Sequence, residues 1–454
     1  MTPSPSPTKP ASSPPPQDVG FWQAFAFWLK LGFISFGGPA GQIAIMHTEL
    51  VERRRWISEK RFLHALNYCM VLPGPEAQQL ATYIGWLLHK TRGGMVAGVL
   101  FVLPSLFILV ALSWIYMAYG DQPVVAGLFY GIKPAVTAIV VQAAHRIGSR
   151  ALKTPVLWGV AAASFVAIFA LDVPFPLIVV AAALLGSIGS RYAPDQFKMG
   201  GGAHGRVQHS AGPALIDDDT PPPAHALFTW ARLTRVLVVS ASLWLIPMGL
   251  LFASLGWSHA LTQMGWFFTK AALLTFGGAY AVLPYVYQGA VESFAWLTPT
   301  QMMDGLALGE TTPGPLIMVV AFVGFVGGYA KALFGPDALF LAGTVAAVVV
   351  TWFTFLPSFL FILAGGPLVE STQNNLKFTA PLTAITAAVV GVILQLALFF
   401  GYHTMWPHGW QGRFDAMSAL IALAAALALF KFKLPVMHVI TGSALVGLAF
   451  KLAV

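Results

Sequence analysis

Apolar stretches of roughly twenty residues follow one another from Phe21 to Val454, parted by short segments that carry most of the charge. Each is long enough to cross a hydrocarbon core of roughly 30 Å as a helix. Backbone polar groups in lipid must be satisfied within their own segment, and the period-two alternation of barrel strands is absent. The pattern therefore predicts an all-α polytopic membrane protein. Inside several spans Gly and Pro interrupt the apolar run, and these interruptions repeat. Phe36-Gly37-Gly38 returns as Phe276-Gly277-Gly278, and Pro73-Gly74-Pro75 returns as Pro313-Gly314-Pro315, in both cases 240 residues later. Lys30, Val51, Glu52, Trp56 and Leu66 meet Lys270, Val291, Glu292, Trp296 and Leu306 in the same register. Farther on, Pro104-Ser105 matches Pro357-Ser358 at an offset of 253, which predicts a thirteen-residue insertion around Lys331 to Asp337. Two halves with broken segments in corresponding positions point to a secondary transporter whose substrate lies at the interface between the repeats.

The chain divides into a Pro/Ser-rich tail over residues 1–19, a first repeat over 20–190, a polar linker over 191–235, an unpaired span over 236–257 and a second repeat over 258–454. The tail lacks an apolar core and reads as disordered rather than as a cleavable signal peptide. One unpaired span between the repeats inverts the second half relative to the first. Two topologies fit. If every segment crosses, the spans count six, one and six, and the basic residues divide 14 to 8 between the two sides. If the four Gly/Pro-broken segments are re-entrant hairpins, 19 of the 25 basic residues fall on one side and 3 on the other. The positive-inside rule favours the hairpins, with tail and linker cytoplasmic.

Composition narrows the chemistry. Apolar residues make up 57% of the chain and charged residues 9%, far from the quarter that is usual in a soluble domain. The net charge of +8 comes from residues beside the spans, which argues for topology determinants and against nucleic acid. The single cysteine, Cys69, excludes disulfides and Cys-based metal sites, the histidines have no metal-ligand spacing, and no GxxxxGK[ST] motif is present. No cofactor and no metal are expected.

Lys30 and Lys270 precede each Gly-Gly break within apolar surroundings, where a charge costs at least about 2.5 kcal/mol. They are candidates either for substrate binding or for snorkelling toward the interface. Lys133 is similarly placed, but its repeat partner, Ala380, is uncharged. Gly37, Gly38, Pro39, Pro73, Gly74, Pro75, Gly277, Gly278, Pro313, Gly314 and Pro315 end one half-helix and begin another. They leave backbone amides at a positive dipole end for an anion, or else they are packing kinks. Gln78 and Gln79 can donate to an oxyanion without adding charge. Glu52 and Glu292, four residues before Trp56 and Trp296, suit either locking a connecting loop or accepting a proton. Glu76 and Glu310 flank the Pro-Gly-Pro breaks and suit proton coupling. Arg53, Arg54 and Arg55 form a cluster that serves as a topology signal or as an anion entrance.

The Phe36-Gly37-Gly38-Pro39 turn, the Glu52 to Trp56 stretch and the run from Leu72-Pro73-Gly74-Pro75-Glu76 to Tyr83-Ile84-Gly85-Trp86 resemble the long-chain bacterial chromate transporters. The resemblance covers nearly all of the chain from Phe21 onward. In the second half Ala279 replaces Pro39, and Ser293-Phe294-Ala295 replaces the arginine run, so the halves are not interchangeable. The resemblance implies export of chromate across the bacterial cytoplasmic membrane, coupled to protons and conferring chromate resistance. Chromate and sulfate are tetrahedral dianions of similar size, so transport of sulfate or another anion, by carrier or passive channel, is the alternative. A lipid-modifying membrane enzyme would need a nucleophile, base or metal constellation, and none is found.

Overall fold

The computed structural model describes residues 18–36, 38–197, 213–371 and 379–453. Gly37 and most of the expected Pro/Ser tail lie outside the described residues, as does the linker over 198–212. The fold is all-α. In the first half, α1 (Phe21–Ile34) and α2 (Gly38–His47) precede a π-helical turn, Thr48–Arg53. They are followed by α3 (Glu59–Val71), α4 (Glu76–Tyr119), α5 (Pro123–Ala151), α6 (Pro155–Ala170) and α7 (Phe175–Tyr192). After the linker comes α8 (Trp230–Leu255). The second half then runs through α9 (Ala260–Leu274), α10 (Ala279–Tyr287), a second π-helical turn (Gln288–Ser293), α11 (Pro299–Thr311) and α12 (Val319–Ala330). It closes with α13 (Leu339–Ser371), α14 (Thr379–Met405), α15 (Ala416–Phe430) and α16 (Val436–Ala453).

Local chemistry sets the boundaries, and it does so twice. Ser58 caps α3 by accepting from the Arg61 amide, and Thr298, 240 residues later, caps α11 in a reciprocal capping box with Gln301. The two π-helical turns repeat at the same offset, and each ends in a left-handed residue, Arg55 (φ 56°) and Ala295 (φ 46°). Lys90 (φ 57°) kinks α4 beside His89. At the corresponding place in the second half α12 stops, and a loop containing the 3-10 turn Pro336–Ala338 leads to α13. The insertion expected around Lys331 to Asp337 falls in this loop. The backbone thus carries the two homologous halves in its dihedrals as well as in its sequence.

Among the described residues seven helices have membrane length: Glu76–Tyr119, Pro123–Ala151, Phe175–Tyr192, Trp230–Leu255, Pro336–Glu370, Ala380–Met405 and Val436–Ala453. The broken segments are different. Their helices are 9 to 15 residues long, about 14 to 22 Å, which is too short for a full crossing. The second leg of the Pro73-Gly74-Pro75 segment reaches only to the kink at His89.

α13 packs against α4, α9 and α12, while α14 packs against α5, α6 and α7. Each half therefore wraps helices of the other. α8 stands apart, since Met248 is its one buried residue and Leu245, Ile246, Leu250 and Phe252 face outward, as a lipid-facing span requires. α5 and α16 approach closely. A Cβ on Gly131 would collide with the Ser443 carbonyl oxygen, and one on Gly447 with the backbone of Gly131. Gly131→Val is therefore expected to cost about 1 to 3 kcal/mol and to lower the thermal unfolding midpoint in detergent. Gly159→Val, where no atom stands within 4 Å of an added Cβ, should leave the midpoint unchanged.

Candidate functional site

The four helix breaks meet. Where α1 stops, Ser35 is fully buried and the chain turns with Phe36 N–H donating to Ile34 O at 3.0 Å. Where α9 stops, Thr275 is equally buried and Phe276 N–H donates to Leu274 O, again at 3.0 Å. The carbonyl left free by each turn is taken up by the opposite half. Gly74 N–H donates to Thr275 O at 2.7 Å, and Gly314 N–H donates to Ser35 O at 2.9 Å. These bonds are related by the 240-residue repeat, so each Pro-Gly-Pro break is held by the Phe-Gly-Gly break of the other half.

Glycine is required at both positions. Gly74 has φ 127° and Gly314 φ 100°, dihedrals that a Cβ opposes. A Cβ on Gly74 would also stand 2.5 Å from Ser358 Oγ, and one on Gly314 would stand 2.7 Å from Ser105 Cβ. Ser105 of α4 and Ser358 of α13 are the Pro-Ser pair matched at the second offset, so the crossing brings all the repeated motifs into one place.

Polar side chains converge here. Gln42 Nε2 donates to Gly314 O at 2.5 Å and to Ser35 O at 3.3 Å. Gln79 Nε2 donates to Pro73 O at 2.8 Å, and Gln78 Nε2 to Thr82 Oγ1 at 3.1 Å. Ser35 Oγ, Ser105 Oγ, Gln78 Oε1 and Gln79 Oε1 are buried with no hydrogen-bond partner. Buried polar groups are rarely left so, and hydroxyls in this state can donate to a guest. The first turn of α4 adds amides at its positive dipole end.

Carboxylates flank the crossing. Glu76 opens α4, and Arg150 of α5 acts on it electrostatically. Glu310 ends the last full turn of α11 and accepts from the Tyr280 hydroxyl, and the Arg146 guanidinium lies 5.9 Å above the Tyr280 ring. Glu76 and Glu310 are not repeat partners, and Arg146 and Arg150 lie one turn apart on α5. Arg150 is exposed and Arg146 half-buried, so positive charge leads from the surface toward the breaks.

Other residues singled out in the sequence lie elsewhere. Lys30 and Lys270 are both exposed, and Lys270 Nζ stands 5.9 Å from the Trp266 ring, so neither enters the crossing. Gly38, Gly277 and Gly278 adopt positive φ at the Phe-Gly-Gly turns, Pro39 follows in the first turn of α2, and Pro73, Pro75, Pro313 and Pro315 frame the two central glycines. Glu52 pairs with His47 at 3.2 Å, and His47 also meets Glu59 at 2.5 Å. Arg53 and Arg54 bond Glu49 at 2.6 and 3.4 Å, and Arg54 covers the rings of Phe27 and Trp56. Partial burial pushes the Glu49 carboxyl up, but the two guanidiniums outweigh it and hold it below the usual carboxylate range. Arg55 O accepts from Leu215 N–H in the linker. In the second half, burial and then the nearby Asp172 carboxylate raise Glu292 above the usual range.

Two buried ion networks had no separate signal in the sequence. Arg61 of α3 bonds Glu370 at the end of α13 at 2.9 Å, and the Tyr83 hydroxyl donates to the same carboxylate. Asp304 of α11 accepts from Tyr116 of α4 at 2.8 Å, with Lys133 of α5 at 3.6 Å. Among the described residues no group of three or more His, Cys, Asp or Glu is placed to hold a metal ion.

Two homologous all-helical halves, seven membrane-length helices and polar breaks meeting at the centre define a membrane transport protein. The chain belongs to the chromate transporter family, which matches residues 22–187 and again residues 262–448, once in each half. It is 33% identical to the chromate transport protein of Pseudomonas aeruginosa over 437 residues, 96% of this chain and 93% of that one. It is 30% identical to the probable chromate transport protein of Synechococcus elongatus over 433 residues, covering 94% and 95%. Identity to the chromate transport protein of Cupriavidus metallidurans is 28% over 428 residues, covering 94% and 92%. No solved structure matches the chain. The protein is a multi-pass transporter of the bacterial cytoplasmic membrane.

Gly74→Ala and Gly314→Ala are each expected to cost about 1 to 3 kcal/mol, because the dihedral and the close approach both oppose a methyl group. Removing the hydroxyl in the double variant Gly74→Ala/Ser358→Ala relieves one contact but leaves both the dihedral and the approach to Gln79 Nε2 at 2.6 Å. Its unfolding midpoint in detergent should fall between those of the single Gly74 variant and the parent protein.

Proposed function

We propose that the protein exports chromate from the cytoplasm in exchange for protons, and that the crossing of the four breaks is the substrate site. The observation that carries this reading is the reciprocal pair of backbone bonds, Gly74 to Thr275 and Gly314 to Ser35. They bring helix ends from both halves to one point, where a tetrahedral dianion meets hydroxyls, amides and helix dipoles. The Ser35 and Ser105 hydroxyls are donors with unused capacity there, and the Gln78 and Gln79 side-chain amides stand beside them, each with one N–H already donated within the protein. Arg150 and Arg146 draw the anion inward. Glu76 and Glu310 take the protons. Chromate itself comes from the names of the relatives and the family.

The broken segments act as re-entrant hairpins in inverted halves. Support comes from where their ends are tied. Val19, before α1, accepts from His89 at the α4 kink at 2.8 Å, and Arg55 and Trp86 are bonded to Leu215 and His225 of the linker. Both legs of the first-half segments thus return to the linker face. Thr154, at the start of α6, bonds Gln196 on that same face, and α6 then runs about 24 Å to the turn before α7. There Phe175 N–H donates to Gln288 in the second π-helical turn at 3.1 Å, which favours the opposite face for the second-half segments.

Single cysteines test this arrangement. Lys60→Cys and Lys90→Cys should react with a membrane-impermeant maleimide from the cytoplasmic side, and Thr300→Cys and Lys331→Cys from the outside. Opposite-sided labelling of the first two would remove the hairpins and leave the homologous halves intact.

Transport is tested with the purified protein in proteoliposomes, measuring chromate and sulfate flux under an imposed pH gradient. Chromate should move against its gradient with counterflow of protons. Glu310→Gln should abolish gradient-driven flux and retain chromate/chromate exchange. Flux that ignores the pH gradient in the parent protein would instead describe a passive anion channel.

A further inference from the structure

On the face opposite the linker, the α4–α5 turn and the first two turns of α11 enclose an open cavity of about 370 Å³. Tyr116, Lys133, Thr300, Gln301 and Asp304 line it, together with Asp121 at its mouth. Asp304 is 1% exposed. One of its oxygens holds the Tyr116 hydroxyl at 2.8 Å and faces Lys133 Nζ at 3.6 Å, and the other, Oδ1, is buried with no partner. Lys133 is a quarter exposed and so reaches both the carboxylate and the cavity. Three further titratable groups on the packed elements have partners outside the cavity. Tyr130 of α5 donates to Asp415, His403 of α14 bonds Phe399 O, and Lys451 of α16 covers the Tyr130 ring.

We propose that this cavity is a second site, which binds a small inorganic oxyanion at Lys133, and that Asp304 is the protonatable group that governs it. The proposal rests on the reading of the chain as an anion transporter and adds to it a site distinct from the crossing. The carboxylate and an entering anion compete for one ammonium group. With Asp304 ionised, Lys133 is neutralised within the protein and a second negative charge in the cavity is repelled. A proton on Asp304 removes the competitor, and Oδ1, now without a partner, is the natural place for it to sit. Tyr116 still donates to the other oxygen, and Lys133 turns to the guest with Thr300 and Gln301 as polar neighbours. Proton and anion therefore bind cooperatively, and anion affinity rises as pH falls. A carboxylate buried this deeply beside a lysine also explains why Lys133 is present about three turns into an apolar span without a repeat partner.

Binding of radiolabelled sulfate to the purified full-length protein in detergent tests the proposal without depending on flux. In the parent protein affinity should rise as pH is lowered. Asp304→Asn should hold the acid-pH affinity at every pH, and Lys133→Met should weaken acid-pH binding by about tenfold or more. Asp304→Glu and Lys133→Arg should keep the pH dependence, which separates the charge from a folding defect. Unchanged pH dependence in Asp304→Asn, or full binding in Lys133→Met, would overturn the site. Failure of proton-driven chromate export would leave these binding outcomes intact, so the two readings fail separately.

Discussion

A backbone amide released by a helix break inside a membrane protein has no water to turn to, and leaving it unpaired costs several kcal/mol. Gly74 and Gly314 meet this constraint by donating to Thr275 and Ser35, carbonyls released by the breaks of the other half. Neither half can satisfy its own breaks in this way. The bonds dictate that the halves cross at their interrupted points, that glycine stands where the two chains touch, and that Ser105 and Ser358 close over the contact. Everything polar at the centre of the molecule is arranged around that exchange.

At the two ends of the molecule the halves are joined by side chains. On the linker face Arg61, on the first leg of a Pro-Gly-Pro segment, is bound to Glu370 of α13, and on the opposite face Asp304, on the corresponding leg, is bound to Tyr116 of α4. The signs are exchanged, with a cation on the broken segment at one end and an anion at the other. Removing one partner of a buried pair leaves an uncompensated charge, so each tie resists separation far more than a solvent-exposed pair would. Motion of one half past the other has to break or re-form these ties.

The repeat is closer in backbone than in charge. π-helical turns, left-handed residues and caps recur at one offset, whereas Arg53 and Arg54 have no basic counterpart in the second half and Gln42 is matched by Val282. α5 concentrates the asymmetry, since Lys133, Arg146 and Arg150 all lie on it and Lys133 pairs with Asp304 of the other half. A transporter whose two sides must behave differently toward an anion needs such inequality in a symmetric frame.

Helices, breaks and the doubled architecture are legible in the sequence, because apolar run length, Gly/Pro chemistry and a fixed offset are local properties that survive without a partner. Pro73-Gly74-Pro75 and Pro313-Gly314-Pro315 announce where helices stop. They do not announce that the freed amides would be taken by Thr275 and Ser35, since hydrogen-bond partners 201 and 279 residues away are fixed only when the halves pack. Lys30 and Lys270 stand out in sequence because charge within an apolar run is conspicuous, yet which side of a helix faces the interior is decided by packing, and both are exposed. Asp304 carried no such signal, because its meaning depends on Lys133 and Tyr116, which come from other helices. The sequence by itself determined where the backbone breaks and that it breaks twice. Tertiary structure alone decided which polar groups are left over, because burial and pairing are properties of neighbours and not of residues.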